Sequence, residues 1–303
     1  MKRNLFTHKL ILILLFVFSF TPIISQELQT DLKVMTYNIW NGFDWDKDTI
    51  RKENWIKWIR EKNPDVLALQ ELCGYNEKKL KADAEKWGHN YVLILKEDGY
   101  PVALSSKKPI KLKKRAIKKL WHGILHCETY GIDFFVVHLS PVDCSFRHKE
   151  ANIITKMVER SKNAKYIILG DFNAHSPFDE ELLKNNKSLI KKYSKKEPEN
   201  KYSNLRLGKI DYSVISKFIA IPSIDISLDF VDIADRFTFP TPELIGSYRK
   251  NMDELIQTRE RIDYILTSPI LSKSCTNVTI FNKGEAETFS DHYPVMAEFN
   301  IEY

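Results

Sequence analysis

Apolar positions along this chain follow two periods. Over residues 33–39 (KVMTYNI) apolar and polar residues alternate, and the two-residue repeat predicts a strand. Residues 49–62 place Ile50, Trp55, Ile56 and Ile59 at helical spacing, and Asn63-Pro64 stops that helix. Residues 65–69 (DVLAL) and 166–169 are short apolar runs, as expected of buried strands. A charged helix is predicted over 76–87, ending at Gly88. Residues 91–95, 101–104 and 110–120 read as successive strands, and 122–130 with 132–139 as a hairpin closed near Gly131. Residues 146–160 return to helical spacing, with Ile153, Ile154, Met157 and Val158 on one face. Further strands are expected over 262–266, 277–281 and 295–299. Strands outnumber helices, and the helices fall between them. This order predicts an α+β protein with two stacked mixed sheets and helices on both outer faces.

Two stretches break the pattern. Lys2, Arg3 and Lys9 precede the apolar run 10–20 (LILILLFVFSF), and small and polar residues follow. A basic head and a short apolar core are expected of a cleaved signal peptide over residues 1–25, with one domain over 26–303. The competing reading is an uncleaved anchor, but the run is shorter than the roughly 20 residues that span a bilayer. Export to the periplasm or the outside follows, with no stable membrane insertion and a monomer expected. The second stretch, residues 179–202, carries Lys184, Lys187, Lys191, Lys192, Lys195 and Lys196. It reads as a solvated face or loop, with a phosphate-facing patch as the alternative.

Composition narrows the class. Hydrophobic residues at 43% and charged residues at 28% exclude a disordered chain and a multi-span membrane protein. The formal charge is +6, and removing Lys2, Arg3 and Lys9 would lower it by three. The basic signal for a polyanionic partner is therefore weak. Cys73, Cys127, Cys144 and Cys275 match no zinc spacing; they pair by oxidation or remain buried thiols.

Polar residues stand where the apolar strands end. Asn38 follows Val34-Met35-Thr36-Tyr37, Gln70-Glu71 follow Val66-Leu67-Ala68-Leu69, and His138 follows Phe134-Phe135-Val136-Val137. Gly170-Asp171-Phe172-Asn173 follow Ile167-Ile168-Leu169, Arg261-Ile262-Asp263-Tyr264 opens a strand, and Ser290-Asp291-His292 precedes Tyr293-Pro294-Val295. Any one of these alone is a turn former or a satisfied core group. Six at strand ends in one chain point to a site built on one rim of a rigid sheet.

In this order these motifs resemble the endonuclease/exonuclease/phosphatase superfamily, which includes deoxyribonuclease I, exonuclease III, inositol polyphosphate 5-phosphatases and neutral sphingomyelinases. The resemblance spans about residues 33–299. It implies a deoxyribonuclease I-like four-layer α/β sandwich, two packed mixed sheets flanked by helices. It also implies hydrolysis of a phosphate ester with magnesium, or manganese or calcium in its place. The chemistry agrees, because an anionic diester repels hydroxide and calls for a divalent cation, an oriented water and donors to the phosphoryl oxygens.

Carried onto this chain, the resemblance makes Glu71 the primary metal ligand. Asn38 offers an amide oxygen beside it or orients water, and Asp291 supports a second metal or the histidine. His292 is the general base, with Asp263 fixing its tautomer. Asp171 orients the same water or is itself the base, and the sequence leaves that choice open. Asn173 donates to the phosphoryl oxygen. His138 protonates the leaving oxygen or donates to the phosphate.

Some residues depart from the family pattern. Tyr100 either contacts phosphate or packs as a ring. His122 stands where a basic residue is usual, and Arg147 anchors its helix or touches substrate. Arg249 and Arg259 contact substrate or form surface salt bridges. The expected substrate is a phosphodiester, nucleic acid first and a lipid or sugar phosphate second. The rival from another class is an inactive binding protein on the same scaffold.

Overall fold

The computed structural model describes residues 29–195 and 203–302, and in it the apolar runs pair into two six-stranded sheets. The leader expected over residues 1–25 and Lys196 of the lysine-rich stretch lie outside the described residues.

The first sheet centres on β1 (Gln29–Asn38) and β2 (Val66–Gln70), which run parallel. It continues on one side through β14 (Val295–Glu302) and β13 (Cys275–Ile280), and on the other through β4 (Ala103–Ser106) and β3 (Tyr91–Ile94). The second sheet centres on another parallel pair, β7 (Ile132–His138) and β8 (Tyr166–Asp171). Beside β7 lie β6 (Ile124–Thr129) and β5 (Lys111–Ala116); beside β8 lie β12 (Asp263–Thr267) and β11 (Ile224–Asp225). A small hairpin, β9 (Leu205–Arg206) and β10 (Lys209–Ile210), stands apart.

Each parallel pair needs a crossover, and a helix supplies it: Thr49–Lys62 between β1 and β2, Cys144–Arg160 between β7 and β8. Asp48 caps the first helix at the Arg51 N–H, and Asn63 ends it in a left-handed conformation. Asp143 caps the second at the Phe146 N–H.

The central strands of both sheets are buried on both faces, which explains why they read as apolar runs, while the edge strand β5 is exposed. Leu32, Val34, Val66 and Ala68 of the first sheet meet Phe134, Val136, Ile167 and Leu169 of the second between the sheets. The alternate residues face outwards. Met35, Tyr37, Leu67 and Leu69 pack on Trp55, Trp58 and Ile59; Phe135, Val137 and Ile168 pack on Ala151, Ile154 and Phe218. The result is the four-layer α/β sandwich that the strand count and the resemblance imply. No helix among the described residues is long and apolar enough to cross a membrane.

One expectation is adjusted and one open choice is settled. The strand expected over 110–120 ends at Ala116; Lys119 has a φ of 68°, and the chain turns so that the Leu120 N–H bonds Ile117 O. All four cysteines are free, three of them buried.

Candidate functional site

The carboxyl ends of β1, β2, β7 and β8 lie at one rim, and register places the polar stops side by side there. Asn38 pairs across from Gln70, His138 from Asp171, and Asp263 from Asp171. Gly170 permits this. Its φ is 137°, and a Cβ there would sit 2.0 Å from the Val137 carbonyl oxygen, so the strand before Asp171 can approach β7 only with glycine.

Asp171 is the centre. Its Oδ2 accepts from Asn38 Nδ2 at 3.2 Å and faces His138 Nε2 at 3.4 Å and His292 Nε2 at 3.8 Å. Its Oδ1 accepts the Asn173 N–H at 2.8 Å. Behind His292, Nδ1 bonds Asp263 Oδ2 at 2.9 Å, and the Thr238 hydroxyl accepts the Asp263 N–H at 3.1 Å. Ser290 Oγ donates to the Asn38 carbonyl at 2.6 Å and accepts the His292 N–H at 3.2 Å, so it ties the loop before β14 to the end of β1, its neighbour in the same sheet. Asn173 Nδ2 donates to Leu139 O at 3.1 Å.

Asn38 bridges two carboxylates. Its amide nitrogen donates to Glu71 Oε1 at 3.2 Å as well as to Asp171, while its oxygen accepts the Trp40 N–H at 3.0 Å. The side chain thus presents its amide nitrogen to Glu71, and its oxygen is occupied by backbone.

The segment that follows Asn38 is unusual. Trp40–Asp46 coils left-handed, with φ between 49° and 70° at every residue. This turn delivers the Asn41 N–H to Glu71 Oε2 at 2.8 Å. Gly42 lies against the Cys73 carbonyl, where a Cβ would come within 2.1 Å. Arg51 clamps the turn, with its guanidinium 5.1 Å from the Trp40 ring centre and 5.2 Å from that of Phe43. Glu71 and Asn173 also have positive φ, at 61° and 47°. Backbone strain is thus concentrated at the rim.

The electrostatics are lopsided. Burial pushes Asp171 up to about 8, the neighbouring carboxylates of Asp263 and Glu71 add to this, and the charge on His292 opposes it. Burial and then Glu71 push Asp291 up to about 6 against the charge on His292. For His292 burial favours the neutral ring, but Asp263, Asp291 and Asp171 together outweigh it and hold the imidazole well above its usual range. Burial, His122 and His292 hold His138 well below its usual range. Its approach to Asp171 is at ion-pair distance, yet both groups are driven towards neutrality, so the contact is polar and not ionic.

Above these groups opens a cleft of about 500 Å³. Glu71, His138, Asp171, Asn173, Asp291 and His292 line it; Asn38 and Asp263 stand behind the lining. The eight residues singled out in the sequence therefore share one site. Tyr100 also lines the cleft, and its ring lies 5.6 Å from that of His122. His122 stacks on His138 at 4.0 Å, and burial, then Lys96, lowers it to about 4. It is a neutral ring and does not replace the missing cation. Arg147 is an anchor: it is buried and donates to Ser140 O at 3.0 Å and to Ser203 O at 2.8 Å. Arg259 lies over the Phe237 ring, outside the cleft lining.

Trp40, Trp121, Lys192, Phe239, Tyr248 and Arg249 complete the walls. Of these, Arg249 was a candidate from sequence and Lys192 was one lysine among many. The aromatic walls carried no sequence signal, because they come from loops far apart in the chain.

The endonuclease/exonuclease/phosphatase family model matches residues 35–292. No curated protein matches the chain. Among solved structures, the chain is similar to an AP endonuclease from Archaeoglobus fulgidus, with 19% identity and a TM-score of 0.65 over 89% of this chain and 100% of that one. It is also similar to a 3′-phosphatase from Neisseria bound to a product DNA hairpin, with 19% identity and a TM-score of 0.64 over the same shares. A 3′–5′ exonuclease from Neisseria meningitidis matches at 20% identity and a TM-score of 0.64, again over 89% of this chain and 100% of that one. At these identities the likeness is one of fold.

Proposed function

This chain belongs to the endonuclease/exonuclease/phosphatase family, and from that premise we propose that it is a divalent-cation-dependent phosphodiesterase whose substrate is nucleic acid. The observation that supports this most is the carboxylate excess at the rim. Asp171, Asp263 and Asp291 face one imidazole driven towards its charged form, Glu71 adds a fourth carboxylate beside Asp171 and Asp291, and two of the acids are pushed upwards in pKa by their surroundings. Such crowding of oxygen donors fits a hard cation. The atoms of Asp171, Asp263 and His292 also lie within 4.8 Å of one another, but the bond between His292 and Asp263 occupies two of them. Glu71 and Asp291 are therefore the residues that would hold the cation, with Asn38 tying Glu71 to Asp171. Magnesium fits this oxygen set, and manganese or calcium would fit it too. Such an ion supplies charge compensation to the phosphoryl group.

The side chains divide the remaining work. Asp171 in its ionised form, a carboxylate made more basic by burial, accepts a proton from the attacking water. His292, held by Asp263 and surrounded by acids, keeps its proton and offers it to a phosphoryl oxygen. Asn173 is fixed by Leu139 O and donates from the other side. His138, kept neutral, donates to the phosphate or to the leaving oxygen. Aromatic walls suit unpaired bases, which stack on any ring without sequence preference. The leader-like residues 1–25 support export of the enzyme, where extracellular nucleic acid is a substrate to scavenge.

The test is turnover of bis-p-nitrophenyl phosphate, plasmid DNA, RNA, sphingomyelin and inositol phosphates, each with magnesium and with chelator. Cleavage of DNA or RNA that chelator abolishes is the expected result. Turnover of only a lipid or sugar phosphate would replace the substrate reading. Turnover that survives chelator would remove the cation from the mechanism.

A further inference from the structure

Arg249 is the one buried arginine among the described residues that lines the cleft. It is 8% exposed. Its Nε donates to the Thr258 hydroxyl at 2.9 Å and Nη1 to the Tyr248 carbonyl at 2.8 Å. Nη2 has no hydrogen-bond partner, and no carboxylate lies within ion-pair distance among the described residues. Arg261 and Arg236, also buried, both meet acids; Arg147 meets none but spends its terminal nitrogens on Ser140 O, Ser203 O and Asn204, outside the cleft lining. A buried guanidinium without an anion is unfavourable unless a ligand brings one. The sequence left open a surface salt bridge for Arg249, and the structure offers none.

A second cation stands beside it. Lys192 lies 5.4 Å from the centre of the Phe239 ring and Arg249 5.7 Å from the same ring, while Phe239 is 4.9 Å from the ring of His292. Both cations and the imidazole thus lie around one aromatic ring. Lys192 is held by a bond to the buried Glu260 at 3.0 Å, which leaves two of its three donors for other partners. Glu260 is in turn fixed by His175 at 2.8 Å and by Tyr193.

We infer that Arg249, with Lys192 beside it, receives a second phosphoryl group of the substrate, next to the ester that is cleaved. Nη2, unpartnered and enclosed in this structure, would turn into the cleft to meet a phosphate oxygen, with the second Nη1 hydrogen beside it. Phe239 sets the spacing between this subsite and His292. The inference rests on the phosphodiesterase reading for its notion of a scissile group, but binding can be measured apart from turnover. The second group is the adjoining phosphate of a nucleotide strand or a further phosphate on a sugar.

The experiment is calorimetry with the magnesium-loaded protein and two ligand pairs: thymidine 3′,5′-bisphosphate against thymidine 5′-phosphate, and inositol 1,4-bisphosphate against inositol 1-phosphate. At least tenfold tighter binding of the bisphosphate is expected in one pair, and that pair names the source. Arg249→Gln should reduce the bisphosphate-to-monophosphate ratio at least tenfold, and Arg249→Lys should recover part of it. Lys192→Gln, at a partly exposed side chain, should reduce the ratio severalfold and serves if Arg249→Gln fails to fold. No bisphosphate preference in either pair, or a preference that survives in both folded variants, would overturn the inference. Absence of turnover alongside a preference that Arg249→Gln removes would overturn only the enzymatic reading.

Discussion

Arg261 and Asp263 are two residues apart, yet they belong to opposite kinds of buried charge. Arg261 donates to Asp179 at 2.8 Å and to both oxygens of Asp225, at 3.1 and 2.7 Å, and Arg236 adds a second contact to Asp179 at 3.4 Å. Two cations meet two anions, and the group is closed to solvent. At the rim Asp263, Asp171 and Asp291 face one imidazole driven towards its charged form, Glu71 adds a fourth carboxylate, and acids outnumber cations. The difference lies in what completes each group. The first is complete within the chain and holds loops together; the second, on the function proposed above, would be completed by a cation and a substrate. Burial alone does not distinguish structure from function here, but the balance of charge does.

That contrast predicts opposite consequences of substitution. The largest effect is at the unbalanced site. Glu71→Gln and His292→Ala should each lower turnover by about 10³-fold or more; Glu71→Gln, which relieves crowding, should leave thermal unfolding by circular dichroism unchanged or shifted upwards, whereas His292→Ala, which strands Asp263, should lower it. Full activity in either variant would reject the assigned role. At the balanced group the order reverses. Arg261→Met strands Asp179 and Asp225 in the interior and should reduce stability by about 3–5 kcal/mol, read from denaturant midpoints, while the folded fraction keeps its kcat. An equal loss of kcat in folded Arg261→Met would dissolve the distinction.

A third buried group sharpens the comparison through pH. His89 is fully enclosed, with Nδ1 at 2.8 Å from the Ser105 hydroxyl and Nε2 at 2.8 Å from Pro64 O. Burial lowers its pKa to about 4, so the unfolded chain binds the extra proton between roughly pH 6.5 and 4. Stability from the neutral ring is present above that window and is lost as pH falls through it. Melting curves of wild type and His89→Gln should converge towards pH 4, and parallel curves would refute the assignment. The smallest effect belongs to the surface. Lys191 is exposed, unlike its neighbour Lys192 in the cleft wall, and Lys191→Ala should alter turnover less than about twofold. A large loss would mean that substrate extends over the helix Lys187–Ser194.

Much of this was legible in the chain. β2, β7 and β8 are buried on both faces, so they appear as apolar runs, and a polar residue that ends such a run marks the rim. That is why Asn38, Glu71, His138 and Asp171 could be picked out before any geometry. The cleft walls could not be found in the same way. Phe239, Tyr248 and Arg249 come from a region of short turns between residues 225 and 260, where no period repeats long enough to read. Lys192 differs from Lys191 only by the side of the helix on which it falls. The free Nη2 of Arg249 is a property of its neighbours and not of its own position in the chain.

The left-handed turn at Trp40–Asp46 has a thermal consequence. L-residues disfavour this winding by about 1–2 kcal/mol each, so the turn has little intrinsic preference to sustain it. It persists while Phe43 stays buried and Arg51 stays stacked, and these contacts are few beside those of the sheets. Segments of this kind open before the body of a protein does. On warming, activity should therefore vanish some degrees below the unfolding transition, and return on cooling. The backbone amides of Asn41 and Trp40 should exchange with solvent in that interval while those of β1 and β2 remain protected, so that the enzyme has a reversible heat-idle state with its architecture intact.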